Sequence, residues 1–589
     1  MIPASGFYGV LDCRSRMSRD DFTAAGLPAP SLLSTGSRTG VWAGGPLDAS
    51  LGAMDGRCLA FHGTLYNRSE LLRQLDLPEA APTELLLLHA WTRWPSDWTD
   101  RLDGLYVLAH WTGDGNDLTL RRDASGALGL FYARTASGGL AFSSHLGSLL
   151  RAPGISRRVS RHGLHEYLRM LDIAPPNTIY EGVRAVPAGE GVVLDAQHPE
   201  VETVLPPRTA PPVAVSFDDA VAELETRLTA SIVRRLDGTV HPAAFLSGGV
   251  DSSLICALAA RQRPDLQALT VGFEGAGYDE TPIARAVAGH LGLGHRVLRF
   301  GREDFLGALA KAGRHAEQPM ADPAEPATLL AFEQARQNHD VVLDGTGADE
   351  QVGAMPPRHV RVAVEYTARL PATLRRGLSA LLPRTPGLAG YVPLFDFEHP
   401  AETMMRWHGF RRQEIEALCG EPVSLAHTRF HEVFAHFPRD DHYARYSALL
   451  DAMPSDRLSQ AALITGLDVR FPFYDPGVET WLRGQPLAYR WREEAPKHIL
   501  RALLARHVPR SLWDLPKHSF DFPLLEFLSA ENFQVVHRYL LHERWTHWQL
   551  LSPERVAEYG RRFIAGERSL RFRVWALVVL AVWLEGHLD

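Results

Sequence analysis

Residues 243–254, Ala-Ala-Phe-Leu-Ser-Gly-Gly-Val-Asp-Ser-Ser-Leu, combine the residue types that hold a polyphosphate. The apolar run Ala243 to Leu246 reads as a buried strand, which Ser247, Gly248 and Gly249 break. Asp251, Ser252 and Ser253 offer capping side chains to a following helix, on which Leu254, Ile255, Leu258 and Ala259 share one face. A strand, a glycine turn and a helix start make a nest of backbone N–H groups at the positive end of a helix dipole. Glycines let that backbone approach an anion without an intervening Cβ, and Asp251 can hold the magnesium ion that accompanies ATP. The plainer reading of so short a motif is a tight turn with no ligand. The other common phosphate motif, G-x-x-x-x-G-K followed by Ser or Thr, is not matched here.

Two further stretches carry chemistry. Leu343-Asp-Gly-Thr-Gly-Ala-Asp-Glu350 follows an apolar strand and ends in two acids, although alone it also fits a loop with a helix cap. Leu515-Pro-Lys-His-Ser-Phe520 carries Lys517, which alone reads as a solvated loop lysine.

The elements around these stretches alternate. Ser216 to Leu236 reads as an amphipathic helix, Gln267–Phe273 as a strand, Glu280 to Leu291 as a helix and His295–Phe300 as a strand. A helix follows from Asp304, and Val341–Gly345 is another strand. Such alternation implies an α/β doubly wound parallel sheet with ligands at the carboxyl ends of its strands, so Val271 and Gly272 belong near an adenine and ribose. Residues 1–204 instead show short strands punctuated by Gly, Asp and Asn, with helical patterns only at Ser69–Leu75 and Thr83–Trp94, which is a sheet-rich α+β pattern. Proline-rich residues 205–215 read as a semi-rigid linker to a second domain, 216–589.

The 589-residue length fits two to four domains, and 45% hydrophobic with 22% charged residues is ordinary globular composition. A net charge of -8 argues against nucleic-acid binding by bulk charge. Cys13, Cys58, Cys256 and Cys419 lie far apart with no C-x-x-C pair, which favours reduced thiols in a cytosol. The first residues lack a basic segment before an apolar core, so no signal peptide is expected. The apolar run Val574–Leu584 is too short to span a bilayer and reads as a buried helix. Residues 355–455 read as helical and Arg-rich; within them His431-Glu-Val-Phe-Ala-His436 is one residue too long for a zinc-protease motif. His162, His165 and Glu166 have the wrong order for one, and both groups read as helix surface.

Ser247-Gly-Gly-Val-Asp-Ser-Ser253 resembles the PP-loop of ATP pyrophosphatases, and with the other motifs the chain resembles the asparagine synthetase family. In the amino-terminal third the match covers His62-Gly-Thr-Leu-Tyr-Asn67, Arg101-Leu-Asp-Gly104, Arg122-Asp123, Leu130-Phe-Tyr132 and Phe142-Ser-Ser144. In the carboxy-terminal third it covers Asp456-Arg457, Gly466–Arg470, Phe471-Pro-Phe-Tyr-Asp475, Lys497-His-Ile-Leu-Arg501 and the Lys517 segment. The resemblance implies a glutaminase-like, Ntn-type sandwich followed by a PP-loop synthetase domain with helical additions. It implies ATP binding by Leu246, Ser247, Gly248, Gly249, Asp251, Ser252, Ser253, Val271, Gly272 and Gly345, and magnesium held by Asp251 and Asp349. Lys517 is implied to stabilise charge at the α-phosphate, and Asp456 matches a catalytic Glu of β-lactam synthetases.

Departures from the family narrow the expectation. Position 2 is Ile2 where the family exposes a nucleophilic cysteine, and an apolar side chain cannot be activated. The family's Asn-Gly-Glu is His62-Gly63-Thr64, an acidic clamp is Pro82, and the Glu or Tyr after Asp-Gly is Thr346, whose hydroxyl is no base near neutral pH. Two relatives lose glutamine hydrolysis while keeping the ligase: β-lactam synthetases and lasso-peptide macrolactam synthetases. The expectation is a cytoplasmic macrolactam synthetase acting on a precursor peptide, with a leader-binding protein and a leader peptidase as further partners, and no nucleic acid or membrane. A small-substrate amide synthetase, an ammonia-dependent asparagine synthetase and a scaffold without turnover remain alternatives.

Overall fold

The strand Arg57–Leu65 buries Cys58 and Ala60 in one apolar layer and Leu59 and Phe61 in another, so it needs cover on both faces. The structure, a computed structural model, describes residues 6–12, 31–36, 39–44, 49–112, 117–136, 138–195, 202–205, 215–273, 280–353, 355–382, 388–397, 399–404, 409–425, 428–438, 441–452, 456–515 and 522–588. Its amino-terminal strands are β1 (Tyr8–Asp12), β2 (Ser31–Gly36), β3 (Thr39–Gly44), β4 (Ala49–Met54), β5 (Arg57–Leu65) and β6 (Gly104–Thr112). They continue as β7 (Asp117–Arg122), β8 (Phe131–Arg134), β9 (Leu140–Ser143), β10 (Val183–Ala185), β11 (Gly191–Asp195) and β12 (Glu202–Leu205).

Two antiparallel sheets form, in the orders β10-β8-β9-β1-β3-β2 and β12-β11-β7-β6-β5-β4. Tyr132, Leu140 and Phe142 of the first meet Ala60, Val107 and Leu120 of the second. Helices Arg68–Gln74 and Thr83–Arg93 cover the second sheet with Leu71, Leu86 and Trp91. The outer face of the first sheet packs through Tyr8, Val10 and Phe131 with Leu164 and Tyr167 of helix Arg161–Met170. The third is thus an α+β sandwich of two sheets between helices.

The remainder is built on β13 (Pro242–Phe245), β14 (Gln267–Phe273), β15 (Gly294–Phe300), β16 (Val341–Leu343) and β17 (Asp468–Arg470), all parallel, in the order β15-β14-β13-β16-β17. Chain direction across this sheet reverses between β13 and β16, which opens a crevice at their carboxyl ends. Helix Arg571–His587 buries Trp575 and Trp583 and packs on helix Arg302–His315. The two approach so closely that a Cβ on Gly313 would lie 2.2 Å from Val582. Among the described residues, no helix is long and apolar enough to cross a membrane.

His165 and Glu166, read as helix surface, are buried instead at 2% and 0% exposure. Glu166 accepts from Ala174 N at 3.0 Å and Asn177 Nδ2 at 2.8 Å, and burial pushes its carboxyl up to about 7. The Ser69, Glu280, His295 and Asp304 boundaries each shift by one or two residues, to Arg68, Thr281, Gly294 and Arg302.

A buried charge cluster joins the two halves. Arg235, 1% exposed, reaches Asp103 at 3.0 Å and Asp475 at 3.2 Å, while Arg234 bonds the same two carboxylates. Arg235 also donates to Phe471 O at 3.1 Å and stacks over Tyr66 at 4.5 Å. Arg235→Met would leave the two buried acids to share Arg234 alone, so it should cost up to about 3–5 kcal/mol in urea unfolding. A second joint is Glu402, which accepts from Arg169 Nε at 2.9 Å and His399 N at 3.1 Å, with His431 at 3.2 Å. Burial alone would raise this carboxyl, but Arg169 and then His431 hold it at about 2 against the usual 4.5. Because the folded value is the lower one, the stabilisation is complete above the unfolded value and is lost as pH falls through about 2. It amounts to about 3 kcal/mol. Acid unfolding of Glu402→Gln, followed by circular dichroism, should lack that part of the pH dependence.

Candidate active site

Strand β13 delivers Leu246–Gly249 to the crevice. The Leu246 side chain is buried in the core, its N–H bonds Leu269 O at 2.8 Å and its carbonyl accepts from Thr270 Oγ1 at 2.6 Å. Only its backbone is placed to line the loop. Gly248 has φ +77°, and a Cβ there would meet Ile283 Cγ2 at 2.6 Å, so both conformation and space demand glycine.

Gly249, not Asp251, Ser252 or Ser253, is the N-cap of helix Val250–Gln262, and no side chain caps that helix. Ser252 Oγ is turned back instead, accepting from Ser247 N at 3.1 Å and lying 3.0 Å from Ser247 Oγ. This clasp shapes the loop and leaves the helix start facing the crevice. Ser253 is fully buried, and its hydroxyl has no hydrogen-bond partner among the described residues. Val271 and Gly272 stand at the carboxyl end of β14, next to β13.

Strand β16 delivers the acidic loop to the same crevice. Gly345 abuts the first loop: a Cβ would lie 3.1 Å from Ser252 N and 3.2 Å from Asp251 Cβ. Thr346 donates from its N–H at 2.8 Å and its hydroxyl at 2.5 Å to Asp344 Oδ1, so that hydroxyl is spent on a turn. Asp344 N in turn bonds Arg470 O at 3.0 Å, and Arg470 bonds Arg235 O, which connects this loop to the buried charge cluster.

The two loops meet on one cation. Lys497 Nζ bonds Asp251 Oδ2 and lies 2.7 Å from Asp349 Oδ1. Burial alone would lower this ammonium, but Asp251 and then Asp349 hold it above the ordinary lysine value. Lys497 sits at φ +60° as N-cap of helix His498–His507, an uncommon conformation for a non-glycine residue that aims the side chain into the crevice. Next door, enclosure and the Asp349 charge push the Glu350 carboxyl up to about 8. Sequence reasoning assigned Lys497 no role beyond the family pattern. The available signal was its place just before Ile499, Leu500, Leu503 and Leu504, an apolar helical face beginning at a positive helix end.

Asp456 opens helix Asp456–Thr465, and its neighbour Arg457 bonds Asp322 Oδ2 at 3.0 Å; the Asp456 side chain lies outside what is described. Lys517 also lies outside the described residues. Two carboxylates from different strand ends converging on one cation, beside a buried serine hydroxyl and a helix start, fit a divalent ion and a polyphosphate.

In the amino-terminal domain, His62 and Thr64 lie on β5, opposite Val107 and Leu105 of β6, and Pro82 is the N-cap of helix Thr83–Arg93. Residue 2 lies outside the described residues.

The profile of the asparagine synthase family matches residues 223–585, and that of a glutamine amidotransferase domain matches residues 46–203. A protein of Mycobacterium tuberculosis assigned as a glutamine-hydrolyzing asparagine synthetase is 30% identical over 502 residues, covering 81% of this chain and 76% of its own. Glutamine-hydrolyzing asparagine synthetase 1 of Bacillus subtilis is 24% identical over 541 residues, covering 89% and 85%.

Proposed function

The chain belongs to the asparagine synthase family and is an ATP-dependent carbon–nitrogen ligase of that type, and we propose that its acyl substrate is a precursor peptide that it closes into a lasso-type macrolactam. The observation that carries this reading is a contrast. Asp251, Lys497 and Asp349 form an intact charge cluster, whereas the positions that would grip glutamine are His62, Thr64 and Pro82. A ligase without its own ammonia source needs another amine. The α-amine of a peptide, at roughly 7.7–8.0, is already partly neutral near pH 7 and needs positioning more than a strong base. That tolerates Thr346, whose hydroxyl is tied to Asp344.

In the proposed reaction an Asp or Glu side-chain carboxylate of the peptide attacks the α-phosphorus of ATP. The bond to the β-phosphate breaks and pyrophosphate leaves. The peptide's amino terminus then attacks the acyl carbon, AMP departs with the bonding electrons, and the amine loses its proton. The 247–249 backbone is placed to receive phosphate oxygens, Ser252 and Ser253 are assigned to the same role by resemblance alone, and Lys497 is assigned to the charge that grows on the leaving group. Asp251 and Asp349 would hold magnesium, which supplies charge neutralisation at the departing phosphates. Gly345 permits the close packing of the two loops, and Val271 and Gly272 are assigned to the nucleoside. By resemblance Lys517 is assigned to the α-phosphate and Asp456 to orienting or deprotonating the amine. A leader-binding protein and a leader peptidase are the proposed partners.

Pyrophosphate release measured with candidate peptides, and separately with aspartate plus ammonia, tests the reading. The expected result is release that needs peptide, with a product lighter by one water, and no glutamate formed from glutamine. Release with aspartate and ammonia alone would replace the peptide by an ammonia-dependent asparagine synthesis.

A further inference from the structure

The strap Arg470–Asp475 lies between the buried charge cluster and the acidic loop and is bonded to both. On one side Arg235 Nε donates to Phe471 O at 3.1 Å, and Ser231 Oγ donates to Pro472 O at 2.8 Å. The Asp475 carboxylate there accepts from Arg234 and, at 3.2 Å, from Arg235. On the other side Arg470 O accepts from Asp344 N at 3.0 Å, and Phe473 O accepts from Gln351 Nε2. These two bonds grip the acidic loop at both ends, because Asp344 opens it and Gln351 follows Asp349 and Glu350. Its middle is gripped as well. At Gly347, where φ is +98°, a Cβ would lie 3.0 Å from Phe473 Cβ and from Tyr474 Cδ2. With no gap between them, a displaced strap carries the loop along.

The strap is itself held from the amino-terminal domain. Asp103 stands just before β6 and shares both cations with Asp475, taking Arg235 at 3.0 Å and Arg234 at 3.1 Å. Tyr66 of the same domain donates from its N–H to Asp103 O at 2.8 Å, and its ring lies 4.5 Å from the Arg235 guanidinium and 5.5 Å from that of Arg470. Two carboxylates face two guanidiniums, with Asp103, Arg235 and Asp475 all buried, so the charges balance where water does not screen them. Without the Asp103 charge both arginines would turn to Asp475 alone, which pulls on the end of the strap. The other joint between the domains has no such reach: Glu402 meets Arg169, His399 and His431, none of them in the strap or the loop.

We propose that Asp103 is a positioning residue for the ATP chemistry, through which the amino-terminal domain sets the place of Asp349 in the crevice. The inference rests on the assignment of Asp349 to magnesium above, and not on the identity of the acyl substrate. It gives a task to a domain whose glutamine-gripping positions are His62, Thr64 and Pro82.

Magnesium-dependent binding of α,β-methylene-ATP, an analogue that cannot release pyrophosphate, tests it on the full chain by titration calorimetry. The magnesium concentration for half-maximal binding should rise about 3–10-fold in Asp103→Asn, within the range of substitutions along a coupled network. Glu402→Gln loosens the other joint and should leave that concentration within about 2-fold of the parent. Thr346→Val, which frees Asp344 from its turn, should raise it too, and adding Asp103→Asn should then raise it little further, since both act through one loop. Arg234→Lys, a milder change on a half-exposed side chain, carries the same expectation should Asp103→Asn fail to fold. Effects that multiply in the double variant overturn the proposal, as does an equal shift in Glu402→Gln, the mark of general loosening. Asp349→Asn, titrated alongside, separates the two readings. A shift there with none in Asp103→Asn overturns the positioning role alone, whereas no shift in either removes magnesium from the loop and the proposal with it.

Discussion

Replacing Lys497 with methionine is expected to slow pyrophosphate release by roughly 100–1,000-fold, the loss that follows removal of one preorganised charge-stabilising donor. The size follows from placement. Its ammonium is bound on two sides, by Asp251 and by Asp349 at 2.7 Å, on a backbone held in the left-handed region. The ammonium is therefore already in place before nucleotide arrives, and little reorganisation is needed as negative charge grows on the leaving pyrophosphate. Most of the loss should appear in kcat, because a group that acts on developing charge contributes more to the transition state than to ATP binding. Lys497→Arg should rescue little. A planar guanidinium fork cannot occupy the single point between two carboxylates that a compact ammonium fills. Single-turnover release and ATP affinity, measured side by side, check both statements. A variant that releases pyrophosphate at the parent rate would remove Lys497 from the chemistry altogether.

Such a residue shows where local reading stops. Four strands of the parallel sheet are legible as short runs ended by glycine, and Gln267–Phe273 occupies the same residues in sequence and structure, whereas β17, only Asp-Val-Arg, carries no such run and is not read as a strand. The sandwich is legible for the same reason, since β5 and β6 alternate their burial around two cores. The charge cluster between the halves is not, because Asp103 and Arg235 meet across 132 positions and no periodicity reports such a contact. The capping expectation for Asp251, Ser252 and Ser253 fails because the turn competes for the same side chains. Ser252 closes the loop and Asp251 turns to Lys497, leaving Gly249 as the cap. The helix carrying His165 and Glu166 fails as a surface because a neighbouring segment covers it: Ser424 N bonds His165 Nδ1 at 3.2 Å. A polar residue on a helix is read as exposed until the element packed above it is known.

Converting Asp349 to asparagine should raise the magnesium concentration for half-maximal pyrophosphate release by about 10–100-fold, the range in which weakened metal sites fall. The same change at Asp251 should be the more damaging. Asp251 is the more enclosed of the two, its side chain 18% exposed against 43% for Asp349, and water replaces a lost ligand less readily there. Relaxation of the loops cannot make up the difference, because they already pack so closely that a Cβ on Gly345 would lie 3.1 Å from Ser252 N and 3.2 Å from Asp251 Cβ. Asparagine keeps the shape and one acceptor oxygen but gives up the negative charge. The two substitutions therefore separate charge from packing, and Gly345→Val, which keeps both carboxylates and forces the loops apart, supplies the opposite control. Saturating magnesium should restore much of the Asp349→Asn rate, less of the Asp251→Asn rate and almost none of the Gly345→Val rate. If instead all three recover alike, magnesium is not held between these carboxylates, and their contact with Lys497 serves only to shape the crevice.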